Sequence, residues 1–533
     1  MTRLSRRDFT KAFGLTILAG SVFDPAVLRA EEAQRGGTLR IAVQTEPVSL
    51  TDLQQNSATS GVGARVHEGL IHVDYELKPY PYLATEWTIS EDGLTYAFKL
   101  RQGVKWHDGH PFTSADVAYS IRTLKEIHPR RRITFANITA IETPDDHTVI
   151  LKLSQPAPYL LGALTSQGTP IIARHLYDGT DPTTNPHNVA PVGTGPYIFK
   201  EWVRGSHYLL ERNPDYWDQP KPYLDAIVVR FIPDVSARTA ALESGEVDLG
   251  GQTPISFFDI PRFKNNPKFK IDTRGAELTG NLNQVFFNLE NPYLKDLRVR
   301  RAIAHAINLE QYIEVVWLGY AAPAPTAIVP GMVHFHDSSL KPYAFDPARS
   351  EALLDEAGFK RQADGTRFRL RILHNTINSR LLPAAEFFRS ALAKIGIALD
   401  INSSDFATYV QRIYKERAFD LDVQTLVNGY DPTDGIQRAY WSKNIKEGLP
   451  WSNQTHYVNA DVDRIFETAA VEPNQEKRRA LYVELQQILY RDLPALNLAE
   501  VQQLLVHDAK VQNPINDATG NLGNFAETSI GRV

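Results

Sequence analysis

The length of the chain is the feature that most limits what it can fold into. A single hydrophobic core stops growing at roughly 250–300 residues, whereas this chain has 533. Hydrophobic residues make up 43% of the sequence and charged residues 22%, a balance typical of globular domains. Beyond residue 36, no polar or Pro/Gly-rich tract is long enough to remain disordered. The sequence therefore predicts two or three packed domains with few linkers.

The first thirty residues have the pattern of an export signal. Arg6 and Arg7 precede a mildly apolar run over 12–23, which is shorter than the ~20 residues that span a bilayer. Leu28-Arg29-Ala30 then provides a small-residue cleavage pattern. The segment resembles a twin-arginine signal, so we expect residues 1–30 to be removed and the protein to reach the periplasm. The alternative is a buried N-terminal helix.

Cysteine and charge usage restrict the location and the partners. The chain contains no cysteine, so there is no disulfide to form outside the cytoplasm and no residue for lipoprotein acylation. We expect a soluble protein without a lipid anchor. The net charge is −5 although the leading segment is basic. An acidic mature chain argues against nucleic acid as a partner, because nucleic acid requires a basic face.

Strands and helices alternate along the sequence, which indicates a mixed α/β fold. Alternating apolar and polar residues predict strands over 38–43, 94–100 and 149–153. Thr113 and Asp116 form a capping-box pattern at the start of a helix. Asp346 and Gly358 bound a second predicted helix, and the apolar stripe over 476–490 predicts a third.

The sequence lacks the common motifs of catalysis. It has no GxSxG or GxxxxGK[ST] motif, and without cysteine it has neither a thiol nucleophile nor a thiolate zinc site. His67 and His72 are five residues apart, whereas two zinc ligands on one helix face require a spacing of four. We therefore predict no catalytic residue, no cofactor and no metal site.

Two further motifs each have two interpretations. The segment HDGH at 107–110 offers three potential ligands for a divalent ion, but Asp-Gly is also a common corner of a tight turn. We favour the turn, because it links the strand near Trp106 to the helix capped by Thr113. The GxG at 193–195 is followed by the strand pattern of 197–199 instead of a helix, which argues against phosphate binding.

An ordered set of motifs resembles one family across residues 37–505. The motifs include GGTLRIA at 36–42, LRQGVKWHDG at 100–109, PVGTGPY at 191–197, ERNPDYW at 211–217 and GEVD at 245–248. Residues 83–95, 296–302 and 346–358 continue the series. Each motif is weakly specific, but together and in this order they resemble the peptide/nickel/opine class of periplasmic solute-binding proteins, family 5.

The resemblance implies a two-lobed α/β fold of type II, cluster C-like, with an extra α/β domain inserted in lobe I. By position, lobe I comprises 37–72, 196–288 and 497–533, the extra domain 73–195, and lobe II 289–496. In such proteins the ligand closes the lobes, and the membrane permease recognises the closed form. The implied function is that of a monomeric substrate-binding component of an ABC transporter. Its partners are permease subunits, and it is not an enzyme.

Ligand specificity is expected to depend on residues 424–434. In peptide-binding relatives this loop resembles W-x-x-D-x-x-D-P, and its first Asp pairs with the α-amine of the ligand. Counting back from Asp431-Pro432 places Asn428 at that Asp. An amide cannot neutralise an ammonium group, and burial of an unpaired ammonium costs several kcal/mol. We therefore expect a ligand whose contacting end is neutral or rich in hydroxyls, such as a sugar conjugate, an opine-like compound or a blocked peptide.

Two alternatives remain for this loop and its function. If the alignment contains a gap, Asp431 or Asp434 takes the amine-binding role, and the chain is a dipeptide- or oligopeptide-binding protein. A periplasmic hydrolase of the same size is the other alternative, although no nucleophile and base pair supports it.

Other residues are expected to line the cleft because of their position or type. Thr59 and Ser60 follow the first strand in a loop that reaches the cleft in relatives. Tyr430, Trp441 and Trp451 could form aromatic walls that suit sugars and side chains. Packing in the core is the alternative role for each of these residues.

Overall fold

The fold is built around three larger sheets. The computed structural model describes residues 34–53, 62–128, 130–251, 254–275 and 277–531. The predicted export signal therefore lies outside the described residues. Within the described residues, one sheet has seven strands, a second has six and a third has four. The predicted mixed α/β character is confirmed.

The first sheet is mixed and joins strands from both ends of the chain. In spatial order its strands are Phe269–Asp272, Leu505–Asp508, Leu249–Gly250, Thr38–Val43, Ala226–Phe231, His207–Arg212 and Tyr197–Val203. The strand Thr38–Val43 forms where it was predicted, and it pairs in parallel with both of its neighbours. Its alternating residues Leu39 and Ile41 are buried in the core.

The second sheet is also mixed. In spatial order its strands are Ala321–Pro323, Ala495–Val501, Asn281–Phe287, Leu421–Val427, Phe368–Asn375 and Ile397–Ser404. The strand Asn281–Phe287 belongs to this sheet, although it precedes the expected lobe boundary at 288/289. The strand Ala495–Val501 crosses the expected boundary at 496/497. The residue limits of the domains stay a prediction.

The third sheet is antiparallel and has its own core. Its strands are Ala84–Ile89, Thr95–Leu100, Thr148–Leu153 and Ile138–Asp145. The helix Ser114–Ile127 packs on it through Val117, Ile121 and Leu124. The predicted capping box is present, because the Thr113 amide donates to Asp116 Oδ2 at 2.9 Å. We refer to residues 83–177 as the antiparallel region.

The longer helices pack against the first two sheets. They are Val235–Ser244, Leu297–His305, Leu309–Trp317, Pro347–Glu356, Leu381–Lys394, Ala460–Ala469 and Gln475–Asp492. The helix Pro347–Glu356 begins and ends as predicted, with Asp346 as its N-cap and Gly358 in a left-handed conformation. The helix Gln475–Asp492 is two residues longer at its C-terminus than the predicted one. None of the described helices combines the length and the apolarity needed to cross a membrane.

Shorter elements complete the fold. Short helices are Arg131–Thr134, Leu160–Ala163, Arg174–Tyr177, Ile260–Lys264, Phe406–Val410, Pro432–Gly435 and Gln437–Tyr440. Single turns of 3-10 helix are Gly63–Arg65, Pro186–Asn188, Phe257–Asp259, Ser442–Asn444 and Gly520–Leu522, and a π-helical turn covers Gln411–Lys415. Two-stranded pairs join Ile71–Val73 to Pro79–Pro81 and Val511–Gln512 to Ser529–Ile530.

The motifs at 191–197 and 211–217 converge on a buried carboxyl group. Glu68 accepts hydrogen bonds from Thr194 Oγ1 at 2.8 Å, Tyr216 OH at 2.9 Å and Trp217 Nε1 at 3.0 Å. Burial raises the pKa of Glu68. A Cβ at Gly193 would lie 1.7 Å from the Val66 carbonyl oxygen, so this position requires glycine. The GxG therefore serves close packing, in line with the expectation that it does not bind phosphate.

A second buried carboxyl group lies in the central strand Leu421–Val427. Asp422 is 0% exposed, and its Oδ2 accepts hydrogen bonds from Tyr409 OH at 2.9 Å and from Gln424 Nε2 at 3.0 Å. Gln454 Nε2 donates to the same oxygen at 2.5 Å. All three donors are neutral. Burial raises the pKa of Asp422 to about 7 because these donors only partly replace water.

The raised pKa of Asp422 predicts a pH dependence of stability. The folded protein holds a proton that the unfolded chain releases near pH 4, so this contribution is complete at low pH and is lost as the pH rises towards about 7. Between pH 4 and about 7, the unfolding free energy of wild type should fall by up to about 4 kcal/mol relative to that of Asp422→Asn. Urea unfolding at several pH values measures this difference in unfolding free energy. Asp400→Asn, at an exposed ion pair, is the control; parallel profiles of wild type and Asp422→Asn would contradict the prediction.

Candidate ligand-binding cleft

A buried ion pair holds the loop that follows the strand Leu421–Val427. The Arg478 guanidinium donates to both oxygens of Asp431, each at 2.9 Å. The same carboxylate accepts from the Thr433 amide at 2.9 Å and so caps the short helix Pro432–Gly435. Asp431 and Arg478 are 2% and 3% exposed. Burial lowers the pKa of Arg478, but attraction to Asp431 outweighs burial and the net change is upward.

Asn428 is buried within the same loop. Its Oδ1 accepts a hydrogen bond from the Val329 amide at 3.0 Å, and it is 0% exposed. Its Nδ2 has no hydrogen-bond partner among the described residues. Asn428 does not line either of the cavities beside this loop. Its role as a ligand anchor stays a prediction, and in this conformation the side chain supports the backbone of the neighbouring segment.

Tyr430 lines two cavities. They lie between the antiparallel region and the part of the molecule that contains the second sheet. The first has a volume of about 360 Å³. Its walls include Ile89, Tyr96 and Leu161 on the antiparallel region and Met332, Phe335, Asp431 and Arg478 on the opposite side. This composition is largely apolar and aromatic, and the Asp431–Arg478 ion pair also lines the cavity. Such a surface suits the side chain or ring of a ligand.

The second cavity is smaller and polar. It has a volume of about 90 Å³, and Tyr430 and Asp431 line it as well. The antiparallel region contributes Arg130, Arg131, Thr134, Tyr159 and Gly162, and the opposite side contributes Thr279 and Asp434. Thr134 Oγ1 donates to Asp434 Oδ1 at 3.4 Å, a contact between residues 300 positions apart.

Arginines and aspartates meet at the second cavity, which Arg130, Arg131, Asp431 and Asp434 line. Burial and repulsion from Arg130 lower the pKa of Arg438 to about 10, and attraction to Asp434 offsets only part of this. Burial also lowers the pKa of Arg131. Asp434 therefore attracts both Arg131 and Arg438, while Arg130 repels both. The Arg130 side chain is exposed and has no hydrogen-bond partner among the described residues.

A glycine permits the close approach of the two sides. A Cβ at Gly162 would lie 1.8 Å from Cδ1 of Tyr430. Because Gly162 is on the antiparallel region and Tyr430 is on the loop that Asp431 anchors, any side chain at 162 would force them apart. The structure is thus one in which the two sides are closed on each other.

Two of the predicted site residues, Trp441 and Trp451, lie away from both cavities. Trp441 is half-buried and donates to Glu467 Oε1 at 3.0 Å, and it lines neither cavity. Trp451 also lines neither cavity, and its ring lies 5.5 Å from that of Phe406 and 6.0 Å from Arg438. Thr59 and Ser60 lie outside the described residues. Of the seven predicted residues, the structure brings Tyr430 and Asp431 to the cavities.

Several cavity residues were not predicted from the sequence. They are Arg130, Arg131, Thr134, Tyr159 and Gly162 on one side and Arg478 on the other. The run of three arginines at 130–132 was a usable signal, because such a run beside a turn is available to bind an anion. Nothing in the local sequence pairs it with Asp434.

The known proteins that this chain resembles are solute-binding proteins. Residues 78–471 match the family model described as bacterial extracellular solute-binding proteins, family 5 middle. A Brucella ovis protein named as an ABC transporter peptide-binding protein is 30% identical over 525 residues, which cover 95% of each chain. The glutathione-binding protein GsiB of Salmonella typhi is 27% identical, and the alignment covers 88% of this chain and 90% of that protein.

A solved structure shares the fold over nearly the whole chain. NikA from Brucella suis in complex with Fe(III)-EDTA has a TM-score of 0.82 and 26% sequence identity. The match covers 93% of this chain and 100% of that one.

Proposed function

The chain belongs to family 5 of the bacterial extracellular solute-binding proteins, and we propose that it captures a peptide-sized solute that carries a carboxylate and no free α-amine. It has the two-lobed α/β fold of this family and is the substrate-binding component of an ABC importer. We further propose that it performs no covalent step on its ligand.

The observation that carries the proposal is the group of arginines at and beside the second cavity. Arg130 and Arg131 line the cavity, and Arg438 is close enough for Arg130 to repel it and for Asp434 to attract it. Burial and the repulsion from Arg130 lower the pKa of Arg438. A ligand carboxylate beside Arg130 would give that guanidinium group a counter-ion. Guanidinium groups bind carboxylates through paired, charge-assisted hydrogen bonds, so an anionic ligand group fits this place.

The same residues explain why a free α-amine is disfavoured. The carboxylates that line the two cavities, among the described residues, are Asp431 and Asp434. Asp431 is already paired with Arg478, and Asp434 already faces arginines. Neither charge is free to neutralise an ammonium group, and burial of an unpaired ammonium costs several kcal/mol. A blocked peptide or an opine-like compound meets both conditions.

Transport would follow from closure over the ligand. The contact of Gly162 with Tyr430 and the hydrogen bond between Thr134 and Asp434 join the two sides in the closed state. A ligand that bridges Arg130 and Tyr430 binds this state better than an open one and so shifts the population towards it. The permease would then recognise the closed form.

Export and assembly complete the proposal. We propose that Arg6 and Arg7 direct the chain to twin-arginine export, and that the mature protein is a periplasmic monomer without a lipid anchor or a nucleic-acid partner. The absence of cysteine supports this, because the chain can fold fully in the reducing cytoplasm before it crosses.

The ligand class can be tested with mixed tripeptides in three forms: free, N-acetylated and C-amidated. Each pool is incubated with the protein, and the retained molecules are measured by mass spectrometry. We expect the acetylated pool to be retained at least as well as the free pool, and the amidated pool roughly tenfold less, because amidation removes a charge-assisted hydrogen bond.

Arginine variants provide the matched control for this test. Arg130→Ala should reduce the penalty of amidation, whereas Arg132→Ala, at an exposed neighbour that does not line the cavity, should leave it unchanged. Preference for the free amine would instead favour the oligopeptide-binding alternative. Retention of no pool would overturn the peptide-sized class.

Closure can be tested at Gly162. Gly162→Ala should weaken binding of the retained tripeptides at least roughly tenfold, because the new methyl group overlaps the Tyr430 ring and disfavours the closed state. Calorimetry gives the affinity, and small-angle scattering should show a larger radius of gyration for the variant with peptide than for wild type with peptide. The double variant Gly162→Ala/Tyr430→Ala relieves the overlap and should recover the compact form. A compact single variant would refute the role of this contact.

The export route can be tested at the arginine pair. Arg6→Lys with Arg7→Lys should leave the full-length protein in the cytoplasm, because the pair is the part of the signal that this pathway reads. Cell fractionation and immunoblotting measure the distribution. Lys11→Arg keeps the charge and is the control, and unchanged periplasmic recovery of the double variant would argue for another route.

A further inference from the structure

Three exposed side chains of the antiparallel region meet at one point on the surface. Asp108 and His110 lie in the predicted turn, and His175 lies on the short helix Arg174–Tyr177. His175 Nε2 is 2.7 Å from Asp108 Oδ2, and His110 Nδ1 is 3.2 Å from Asp108 Oδ1. The two imidazole rings are stacked with their centroids 4.1 Å apart. One potential ligand atom from each residue lies within 4.8 Å of the other two.

The turn that carries Asp108 and His110 is fixed by its backbone. The Trp106 amide donates to the His110 carbonyl oxygen, and the Gly109 amide donates to the Trp106 carbonyl oxygen, each at 2.8 Å. Gly109 has a φ of 91°, a conformation that favours glycine. His107 does not join the cluster, because its Nε2 lies 3.0 Å from the Gly195 carbonyl oxygen. The two candidate ligands of the turn therefore have a defined position.

The segment that carries His175 is fixed separately. The Arg174 amide donates to Asp116 Oδ1 at 2.9 Å, and Tyr177 is buried in the core of the antiparallel region. The Trp106 ring lies 6.4 Å from the His175 ring and packs against its edge. Both segments are thus held by the same core, and the approach of the three side chains does not depend on a flexible loop.

We infer that Asp108, His110 and His175 form a binding site for a divalent transition-metal ion of the zinc class. Two imidazole nitrogens and one carboxylate oxygen are the ligand types that such ions bind in proteins. Three protein ligands with an open, solvent-facing side leave room for a water molecule as the fourth ligand. Without an ion, Asp108 interacts with both imidazoles, so the metal would compete with protons for these atoms.

The site is separate from the ligand-binding cleft. None of its three residues lines either cavity beside Tyr430. The sequence favoured a turn without a metal, because Asp-Gly is a common corner of a tight turn and gave no sign of His175, which is 65 positions beyond His110. An ion here would cross-link the turn to the helix Arg174–Tyr177 and stabilise the antiparallel region by its binding to the folded state. The inference does not depend on the proposed ligand class.

Metal titration of the untagged, chelator-treated protein tests the site. Calorimetry with Zn²⁺ should show a site that His110→Ala and His175→Ala each weaken at least roughly tenfold, because each removes a ligand. His187→Ala, at a half-buried histidine that has no carboxylate contact among the described residues, should bind Zn²⁺ as wild type does. Electron paramagnetic resonance with Cu²⁺ should detect two coordinated nitrogens in wild type and one in either of the first two variants.

A second variant separates loss of ligation from loss of folding. Asp108→Asn keeps an oxygen that can accept the His110 amide bond of the turn and removes the charge, so it should weaken Zn²⁺ binding while circular dichroism stays unchanged. Zn²⁺ affinity that is equal in wild type and all variants would overturn the inference. Absence of binding to wild type at millimolar Zn²⁺ would overturn it as well.

Discussion

The position of the loop that follows the strand Leu421–Val427 depends on the buried bidentate pair of Asp431 and Arg478. Removal of either partner would leave an uncompensated charge in the interior, which is far more costly than loss of a surface ion pair. The pair fixes the loop to the helix Gln475–Asp492, and this places Tyr430 against Gly162. The pair also neutralises Asp431, which the sequence offered as one of the possible partners of a ligand amine. One interaction therefore sets both the shape and the electrostatics of the cleft.

Local signals in the sequence predicted the elements well. Helix caps are an example: Thr113 and Asp116 cap one helix, and Asp346 and Gly358 bound another. The contacts of a cap span only a few residues, so a short stretch of sequence is enough to predict it. The family resemblance predicted the two-lobed architecture, whereas periodicity predicted only individual strands and helices. Residue limits of the lobes depend on strand pairing between distant segments, and the strand Asn281–Phe287 pairs across the expected boundary.

The site was harder to predict because its parts are distant in the sequence. Asp431 was a candidate because of its motif and Tyr430 because of its aromatic type, but their environment comes from Gly162, Arg130 and Arg478. Charge compensation is a property of the assembled cleft, and no spacing rule encodes it. His175 was missed as a partner of Asp108 and His110 for the same reason, because it is distant from them in the sequence. Trp441 and Trp451 were candidates because of their aromatic type, and their role at the ligand stays a prediction. In this structure Trp441 donates a hydrogen bond to Glu467, the Trp451 ring packs near Phe406, and neither lines the two cavities.

The order of strands in the two mixed sheets has a consequence for biosynthesis. Leu505–Asp508 lies inside the first sheet and Ala495–Val501 lies inside the second, each between strands made much earlier. Neither sheet can close until the ribosome has made residues 495–501 and 505–508, so both cores stay incomplete through most of elongation. Until these two strands are made, each sheet of the nascent chain has strand edges without their final partners.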